Sequence, residues 1–202
     1  MKKNTEIIIS LILILIGLPF ITIILVLDFI FTGQFPLILQ KRMISLDQKV
    51  LTILKIRTIV DSAKFRDKEK ESDKILMHCE YKDHIPAFCK WLRKSGVDEI
   101  MQLFNVMAGK MALIGPCPLL ARELELMKKE VPELYEKRKM LNSLPGITGY
   151  WQIYGNRNMG INNLIEFDEF YEINKSFLLD LKITLKTFIV MITASHSDAI
   201  IS

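Results

Sequence analysis

The chain has 202 residues, half of them hydrophobic and a quarter charged, and a formal net charge of +4. Its mean hydropathy of +0.25 is high for a freely soluble domain, yet the charge content excludes a protein built mainly of membrane-spanning helices. The modest charge, without an arginine-rich stretch, argues against a nucleic-acid partner. These properties favour one compact domain joined to a membrane element.

An uncharged apolar segment, Ile7 to Leu27, is long enough to cross the hydrocarbon core as a helix. No small-residue cleavage site follows it, so a cleaved secretory signal is excluded. Pro19 lies near its middle and predicts a kink. Lysines precede the segment and Lys41-Arg42 follow it, and positive flanks favour the cytoplasmic side. The residues leave two hypotheses open, a kinked spanning helix and a helix that enters and leaves by one face.

Two short apolar runs follow, Phe35 to Leu39 and Val50 to Leu54. Each is partly β-branched and the two are separated by a polar turn, so we expect a pair of strands. The stretch from Asp61 to Lys94 is dense in charge and weak in periodicity, which predicts exposed helix and loop.

The three cysteines are Cys79, Cys89 and Cys117, and they form neither a CxxC pair nor an even set. We expect reduced thiols of a cytosolic domain. A zinc site built from His78, Cys79, His84 and Cys89 would match no standard ligand spacing, so that alternative is disfavoured.

Apolar residues recur at helical spacing after Val97, and Gly109 ends this predicted amphipathic helix. A short buried run, Met111 to Ile114, comes next. Leu119 to Lys139 predicts a charged helix that restarts near Pro132, where proline suits a first turn.

The segment Pro145 to Gly149 predicts a turn, and a last helical stretch runs from Ile165 towards Thr193. Lysines flank the apolar residues of this last stretch. Such a helix lies either in a lipid head-group layer or against a protein core, and the pattern fits both.

Asp98 and Glu99, at the start of the predicted amphipathic helix, are the first candidates for chemistry. Ser95 followed three residues later by Asp98 resembles a capping box, so capping alone explains the pair. The same position attracts a phosphate and keeps an aspartate ionised, as a carboxylate nucleophile must be. The second carboxylate would help to hold a divalent cation.

Cations suited to phosphoryl oxygens occur near this pair and after the two apolar runs. Arg93 precedes the acidic pair, Lys55 and Arg57 close the second run, and Arg42 follows the membrane segment. Each of these alone is more often a surface cation.

Two further candidates lie towards the C-terminus. Arg157 belongs to the polar segment 155–158, which is either a plain turn or a nucleotide-binding loop. Asp168 either pairs with a lysine or belongs to the site, and nothing local decides.

The order and spacing of these pieces resemble the bacterial sugar transferase family, the small monotopic phosphoglycosyl transferases that start undecaprenyl-linked glycan assembly. Leu92–Pro116 is similar to the family core L-R-K-x-S-x-D-E-x-x-Q-L-x-N-V-x-x-G-x-M-S-x-V-G-P-R-P. Lys55–Thr58 is similar to K-F-R-T, and Gln40–Arg42 matches the start of Q-x-R-x-G. Pro145–Gly149 matches P-G-I-T-G, and Ser176–Lys182 matches S-x-x-x-D-x-K. Five motifs in order over nearly the whole chain make the resemblance specific.

The resemblance implies an α/β fold, mostly helical with few short strands. Residues 1–34 would form a re-entrant helix-break-helix in one leaflet. Residues 35–202 would form a small catalytic domain with interfacial amphipathic helices. The expected location is the cytoplasmic face of the bacterial inner membrane.

The activity that the resemblance implies is transfer of a phosphosugar from a UDP-sugar to polyprenyl (undecaprenyl) phosphate, with release of UMP. Asp98 would be the nucleophile and would carry a covalent phosphosugar, and Glu99 would assist with Mg²⁺ or with proton handling. Asp98 and Glu99 together would form the metal site. The other partners expected are the lipid bilayer and downstream glycosyltransferases. The residues expected to bind substrate are Lys55, Arg93, Asp168, Arg42 and Arg157.

The chain departs from the family pattern at several positions. Cys117 stands where the family has an arginine, and a thiol lacks the planar donors that guanidinium offers to phosphate. Ile44-Ser45 replaces a glycine, Leu18 stands where a serine is usual, and the G-R-N loop is altered. An alternative hypothesis is therefore a catalytically impaired homologue that acts as a membrane-surface binding or scaffold protein, whereas the intact acidic pair favours the transferase.

Overall fold

The computed structural model describes residues 3–60, 85–156 and 159–195. Within these ranges the chain is mostly helical with a few short strands, as the sequence predicts. Several sequence predictions lie outside the described residues. They are most of the exposed segment Asp61 to Lys94, the residues His78, Cys79 and His84, and the candidate Arg157.

Helix α1, Lys3–Thr32, is a single helix with Pro19 inside it. The predicted break at Pro19 does not divide it into two helices. One missing hydrogen bond costs less than ending the helix in apolar surroundings, where further backbone groups would lose their partners. Among the described residues, α1 is the one helix long and apolar enough, by length and composition, to cross a membrane.

Two opposite surfaces distinguish α1. One stripe, here called the inner stripe, faces the rest of the chain and has polar residues at both ends. Its buried members are Glu6, Ser10, Ile14, Ile21, Asp28 and Thr32. The outer face exposes large apolar side chains, among them Ile8, Leu15, Ile16, Phe20, Ile23, Ile30 and Phe31. Because a helix in water has the reverse arrangement, this polarity fits a helix whose outer solvent is lipid.

Strands β1, Leu37–Arg42, and β2, Leu51–Ile56, pair antiparallel, which confirms the predicted strand pair. Both lie one to three residues later than the sequence indicates. The register sets Lys55 opposite Ile38, close to the end of β2.

The predicted helix after Val97 begins and ends where the sequence indicates, but its first six residues form a 3₁₀ helix and not an α-helix. Helix α2, Ala87–Ser95, ends at Gly96, whose positive φ of 71° starts a turn. A 3₁₀ helix, Val97–Gln102, follows and runs into the short helix α3, Leu103–Met107. The left-handed Gly96 ends one helix and redirects the chain within one residue, an event that hydrophobic periodicity does not reveal.

Strands β3, Ala112–Ile114, and β4, Gly146–Thr148, form a parallel pair where the sequence predicts a buried run and a turn. The two segments approach closely at Gly115 and Gly146. A Cβ on Gly115 would lie 2.2 Å from the carbonyl oxygen of Leu144, so only glycine fits there. The G-P and P-G-I-T-G motifs are thus packed against each other.

The predicted helix 119–139 is two helices, α4, Ala121–Glu130, and α5, Pro132–Lys139, with the expected restart at Pro132. Helices α6, Tyr150–Tyr154, α7, Gly160–Asn174, and α8, Phe177–Thr193, complete the described chain. The long C-terminal prediction is therefore confirmed as helix but divided near Lys175. Ser176 caps α8 by accepting from the backbone N–H of Leu179.

Two hydrophobic clusters organise the domain. The first core cluster lies among α4, α5, α6 and α7 and comprises Met43, Leu119, Leu124, Met127, Tyr135, Trp151, Leu164 and Ile165. The second core cluster joins α1 to β2, α2 and the 3₁₀ helix through Ile21, Ile56, Leu92 and Met101. Helix α1 is therefore packed on the domain along its length and is not a detached anchor.

Candidate active site

Asp98 lies in the first turn of the 3₁₀ helix and is buried, with 7% of its surface exposed. The capping box predicted from Ser95 is not formed. The hydroxyl of Ser95 donates to the carbonyl oxygen of Leu92, 3.0 Å away, and no side chain caps the 3₁₀ helix. The position of Asp98 is therefore set by packing and by the Gly96 turn.

Burial raises the pKa of Asp98 from the ordinary 3.8 to about 6. Lys55 and Arg93 act in the opposite direction because their positive charges favour the carboxylate, while the negative charge of Glu99 raises the pKa further. The sequence predicts that a helix N-terminus keeps this aspartate readily ionised. In the structure the pKa of Asp98 is raised instead, because the loss of water around the carboxylate raises it more than the nearby cations lower it.

Lys55 and Glu99 form an ion pair with 2.5 Å between Nζ and Oε1, and both side chains are largely buried. The pair joins the end of β2 to the residue next to Asp98. Lys55 also acts electrostatically on Asp98, so one ammonium group influences both carboxylates.

Two arginines extend the positive charge around the end of β2. Arg93 donates from Nη1 to the hydroxyl of Thr58 at 3.2 Å. Arg57 donates from Nε to the carbonyl oxygen of Phe35 at 2.8 Å. The Nε atom of Arg93 is buried and has no hydrogen-bond partner among the described residues. Each guanidinium is thus anchored by one contact and keeps further donors.

The second core cluster includes residues of α1 and residues next to Asp98 and Lys55. Ile21 of α1 packs with Met101 of the 3₁₀ helix, and Val97 and Ile100 flank the same cluster. The 3₁₀ helix that bears Asp98 therefore shares one hydrophobic cluster with α1.

Asp168 has a different environment from the one predicted. Its carboxylate pairs with Arg138 at 3.0 Å, and both side chains are almost fully buried. Arg138 also donates to the carbonyl oxygens of Ile44 and Cys117. Burial raises the pKa of Asp168 to about 6, although the Arg138 charge and hydrogen bond lower it. These contacts give Asp168 a role in fixing the 115–118 loop.

Arg42 also contacts this loop. Its Nη1 lies 3.5 Å from the carbonyl oxygen of Pro118 and 3.7 Å from the carboxylate of Glu123. Arg42 and Arg138 therefore hold consecutive carbonyl groups of one loop. Neither arginine has a described contact with Lys55 or Asp98, so the predicted set divides into one group at Asp98 and one at the loop.

Cys117 packs against the first core cluster and is half-buried. Its position in the loop is held through its backbone by Arg138. The side chain that replaces the family's arginine thus contributes to the core.

Three residues that the sequence did not single out, Arg138, Thr58 and Asp28, take part in buried contacts. Arg138 looked like one surface cation of a charged helix, and Thr58 is the acceptor for Arg93. Asp28 accepts a hydrogen bond from the thiol of Cys89 at 3.3 Å, and both residues are fully buried. A charged residue at the end of an apolar segment was the available signal for Asp28.

The donors for a divalent cation are the adjacent carboxylates of Asp98 and Glu99. Among residues 3–60, 85–156 and 159–195, no three His, Cys, Asp or Glu side chains form a metal-binding group. Mg²⁺ needs only one or two carboxylates when substrate phosphates and water supply the other ligands. The pair therefore fits a cation that is bound together with a diphosphate.

Comparison with known sequences gives a consistent result. The profile of the bacterial sugar transferase family matches residues 1–194. The exopolysaccharide production protein ExoY of Sinorhizobium fredii is 34% identical over 142 residues, covering 61% of this chain and 60% of ExoY. The uncharacterized sugar transferase EpsL of Bacillus subtilis is 34% identical over 139 residues, covering 69% of this chain and 61% of EpsL.

A relative with a named activity is the undecaprenyl-phosphate galactose phosphotransferase of Salmonella typhimurium. It is 37% identical over 103 residues, which is 51% of this chain and 20% of that protein. The chain thus matches between about a fifth and about three fifths of the length of these relatives.

Proposed function

The chain belongs to the bacterial sugar transferase family, and from this premise we propose that it transfers a sugar phosphate from a UDP-sugar to a polyprenyl phosphate. The observation that carries the proposal is the buried Asp98 carboxyl, on which the positive charges of Lys55 and Arg93 act. The name of the Salmonella relative supports an undecaprenyl phosphate acceptor.

The first step forms a bond between a carboxylate oxygen of Asp98 and the β-phosphorus of the UDP-sugar. The bond between that phosphorus and the bridging oxygen breaks, and UMP leaves with the oxygen and its electron pair. Lys55 and Arg93 stabilise the negative charge that develops on the phosphoryl oxygens. The product is an aspartyl phosphosugar on the protein.

In the second step a phosphate oxygen of the polyprenyl phosphate attacks the same phosphorus. The bond to Asp98 breaks, and the free carboxylate is restored with its electron pair. The product is a polyprenyl diphosphosugar, and Lys55 again faces the charged oxygens. Bound Mg²⁺, held by Asp98 and Glu99, would neutralise part of the diphosphate charge.

We place the protein at the cytoplasmic face of the bacterial inner membrane, with both ends of α1 held on that side of the bilayer. Glu6 near one end of α1 accepts the backbone N–H of Leu113, and Asp28 near the other end accepts the Cys89 thiol. Two ends held by one domain favour a helix that stays on that domain's side of the bilayer. The apolar side chains exposed on α8 fit the same surface, and they are Phe177, Leu178, Leu181, Leu185, Phe188, Ile189 and Ile192.

A catalytically impaired homologue, acting as a membrane-surface scaffold, is the second candidate because Cys117 replaces an arginine of the family pattern. In that case the acidic pair would keep its structure without turnover. The two hypotheses differ in one measurable product, the phosphosugar on Asp98.

The experiment is an intact-mass measurement on the protein in nanodiscs after incubation with Mg²⁺ and each of a panel of UDP-sugars. We expect a mass increase equal to one phosphosugar, stoichiometric UMP release, and loss of the adduct when polyprenyl phosphate is added. Asp98→Asn should form none, while Glu136→Gln, which neutralises an exposed carboxylate, should react normally. Absence of an adduct with every donor would favour the scaffold.

The topology has its own test. A cysteine introduced at Asn4, in a variant whose native cysteines are replaced by serine, should resist a membrane-impermeant maleimide in intact cells and react after permeabilisation. Labelling from outside would establish a spanning helix instead.

A further inference from the structure

Three aromatic rings form a continuous row where the end of α1 meets α2. Phe31 of α1 stacks on Phe88 of α2 with ring centroids 5.2 Å apart, and Phe88 stacks on Trp91 at 6.0 Å. Phe31 is 54% exposed and Trp91 is 48% exposed, whereas Phe88 between them is half-buried. We call these three residues the aromatic row.

The contact between Asp28 and Cys89 fixes the row in place. Asp28 lies one turn before Phe31 on α1, and Cys89 follows Phe88 on α2, so the hydrogen bond and the ring stacking join the same two helices side by side. Burial and the adjacent Asp28 raise the pKa of Cys89 to about 12. The thiol therefore remains protonated and able to donate.

The row adjoins the candidate active site through Phe88, which packs against the second core cluster as do Val97 and Ile100, the residues on either side of Asp98 and Glu99. Arg93 lies one helical turn after Cys89 on α2, and the charges of Arg93 and Asp98 both act on the Cys89 thiol. Arg93 in turn acts on Asp98 itself. Helix α2 therefore carries the rings of Phe88 and Trp91 and, in its last turn, a cation that acts on the proposed nucleophile.

The other end of the row is continuous with the apolar outer face of α1, where Ile30 is exposed beside Phe31. A molecule that fits this arrangement has a long apolar chain and a terminal phosphate. Its chain would leave the lipid along the outer face, its first units would lie on the rings, and its phosphate would meet Arg93. A polyprenyl phosphate has this form.

We propose that the aromatic row of Phe31, Phe88 and Trp91 is the docking surface for the first isoprene units of the polyprenyl phosphate acceptor. The proposal rests on the proposed function and adds to it the side from which the lipid substrate approaches Asp98. Rigid rings bind an apolar chain at low entropic cost, because few side-chain rotations are lost.

The kinetic test separates the two half-reactions. In Phe31→Ala and Trp91→Ala the KM for polyprenyl phosphate should rise about tenfold each, equivalent to about 1.4 kcal/mol. The maximal rate and the rate of adduct formation from the UDP-sugar should stay unchanged. Phe31→Leu, which keeps apolar bulk, should show a smaller rise. The matched control is Phe20→Ala, since Phe20 is 67% exposed on the same helix but distant from the row.

An unchanged KM in both alanine variants would overturn the proposal, as would an equal rise in Phe20→Ala. Loss of adduct formation in the row variants would also contradict it, because that step involves no lipid.

A photocrosslinking test does not require turnover. A polyprenyl phosphate with a diazirine near its phosphate should label the peptides that contain Phe31 or Trp91, in wild type and in Asp98→Asn. A phosphatidylglycerol probe with the same group should label them less. Equal labelling by both probes would mean that the row is only a lipid-facing belt, and labelling confined to α8 would refute the site. If wild type binds the lipid there but forms no adduct, the proposed function fails and the docking surface stands.

Discussion

The substitution Asp98→Asn should inactivate the protein and at the same time stabilise it. The buried carboxyl has its pKa raised from 3.8 to about 6, so at pH 8 its ionised form is less stable in the folded protein than in water. At about 1.36 kcal/mol per pKa unit, the difference amounts to about 3 kcal/mol. Asparagine resembles the neutral acid in shape and polarity and avoids this cost.

The sign of the effect follows from proton binding. Between about pH 4 and pH 6 the folded state binds more protons at Asp98 than the unfolded chain does, so wild-type stability falls as the pH rises through this range. Above about pH 6 the loss is complete, and below about pH 4 it is absent. The gain from Asp98→Asn should therefore be greatest at pH 7–8 and should vanish at pH 4.

Thermal unfolding in nanodiscs at one fixed scan rate provides the measurement, since membrane proteins often unfold irreversibly. About 3 kcal/mol corresponds to an increase of about 6–12 °C in apparent Tm for a chain of this size. Glu136→Gln removes an equal charge from an exposed position and should change Tm by less than a degree or two. A lower Tm for Asp98→Asn at pH 8, or a gain that is independent of pH, would refute the reasoning.

Four further outcomes are expected. Adduct formation should rise with pH as Asp98 ionises, with a midpoint no higher than about pH 6 because bound Mg²⁺ favours the carboxylate, and a rate that falls between pH 5 and pH 7 would contradict this. Lys55→Met should reduce UMP release at least about a hundredfold by removing the cation that influences both carboxylates, with Lys137→Met as the exposed control. Arg138→Met should cost about 3–5 kcal/mol of folding stability at pH 8, and less near pH 5, where Asp168 can protonate. The double variant Arg138→Met/Asp168→Leu should recover much of this loss. Equal losses of stability in the single and double variants would disprove the pairing. Cys117→Arg should lower Tm without raising the rate of adduct formation, because the side chain packs on the core and added bulk there costs about 1–3 kcal/mol. A faster rate in this variant would show instead that the missing arginine limits catalysis.

The fold could be predicted where a single local rule decides it. The strand pair, the restart at Pro132 and the long apolar helix each follow from composition over a short window. The 3₁₀ helix that carries Asp98 could not be predicted, because the apolar spacing after Val97 is equally compatible with an α-helix. The left-handed backbone of Gly96, which separates this 3₁₀ helix from α2, depends on tertiary packing.

The sequence predicts which residues belong to the candidate site, but it only partly predicts which of them lie together in space. The motifs bring forward Lys55, Arg93, Asp98 and Glu99, and the structure brings these four together. The motifs also suggest Asp168, but its partner Arg138 lies 30 residues away on a helix that looks like solvated surface. Asp98 and Asp168 are both buried carboxylates, and Arg138 pairs with Asp168. Tertiary contacts determine this pairing, and no local sequence spacing encodes it.

The inner stripe of α1 explains how such a domain can be held at a defined height on a bilayer. Packing of apolar side chains gives little preference between protein and lipid, because lipid tails are as apolar as leucine. The polar contacts, Glu6 with the backbone of Leu113 and Asp28 with the thiol of Cys89, therefore add specificity to the register that Ile14 and Ile21 share in setting. The second contact lies one turn from Phe31 and one turn from Arg93. The substitution Asp28→Val should weaken the contact between α1 and α2, and we expect it to raise the KM for polyprenyl phosphate more than it slows adduct formation.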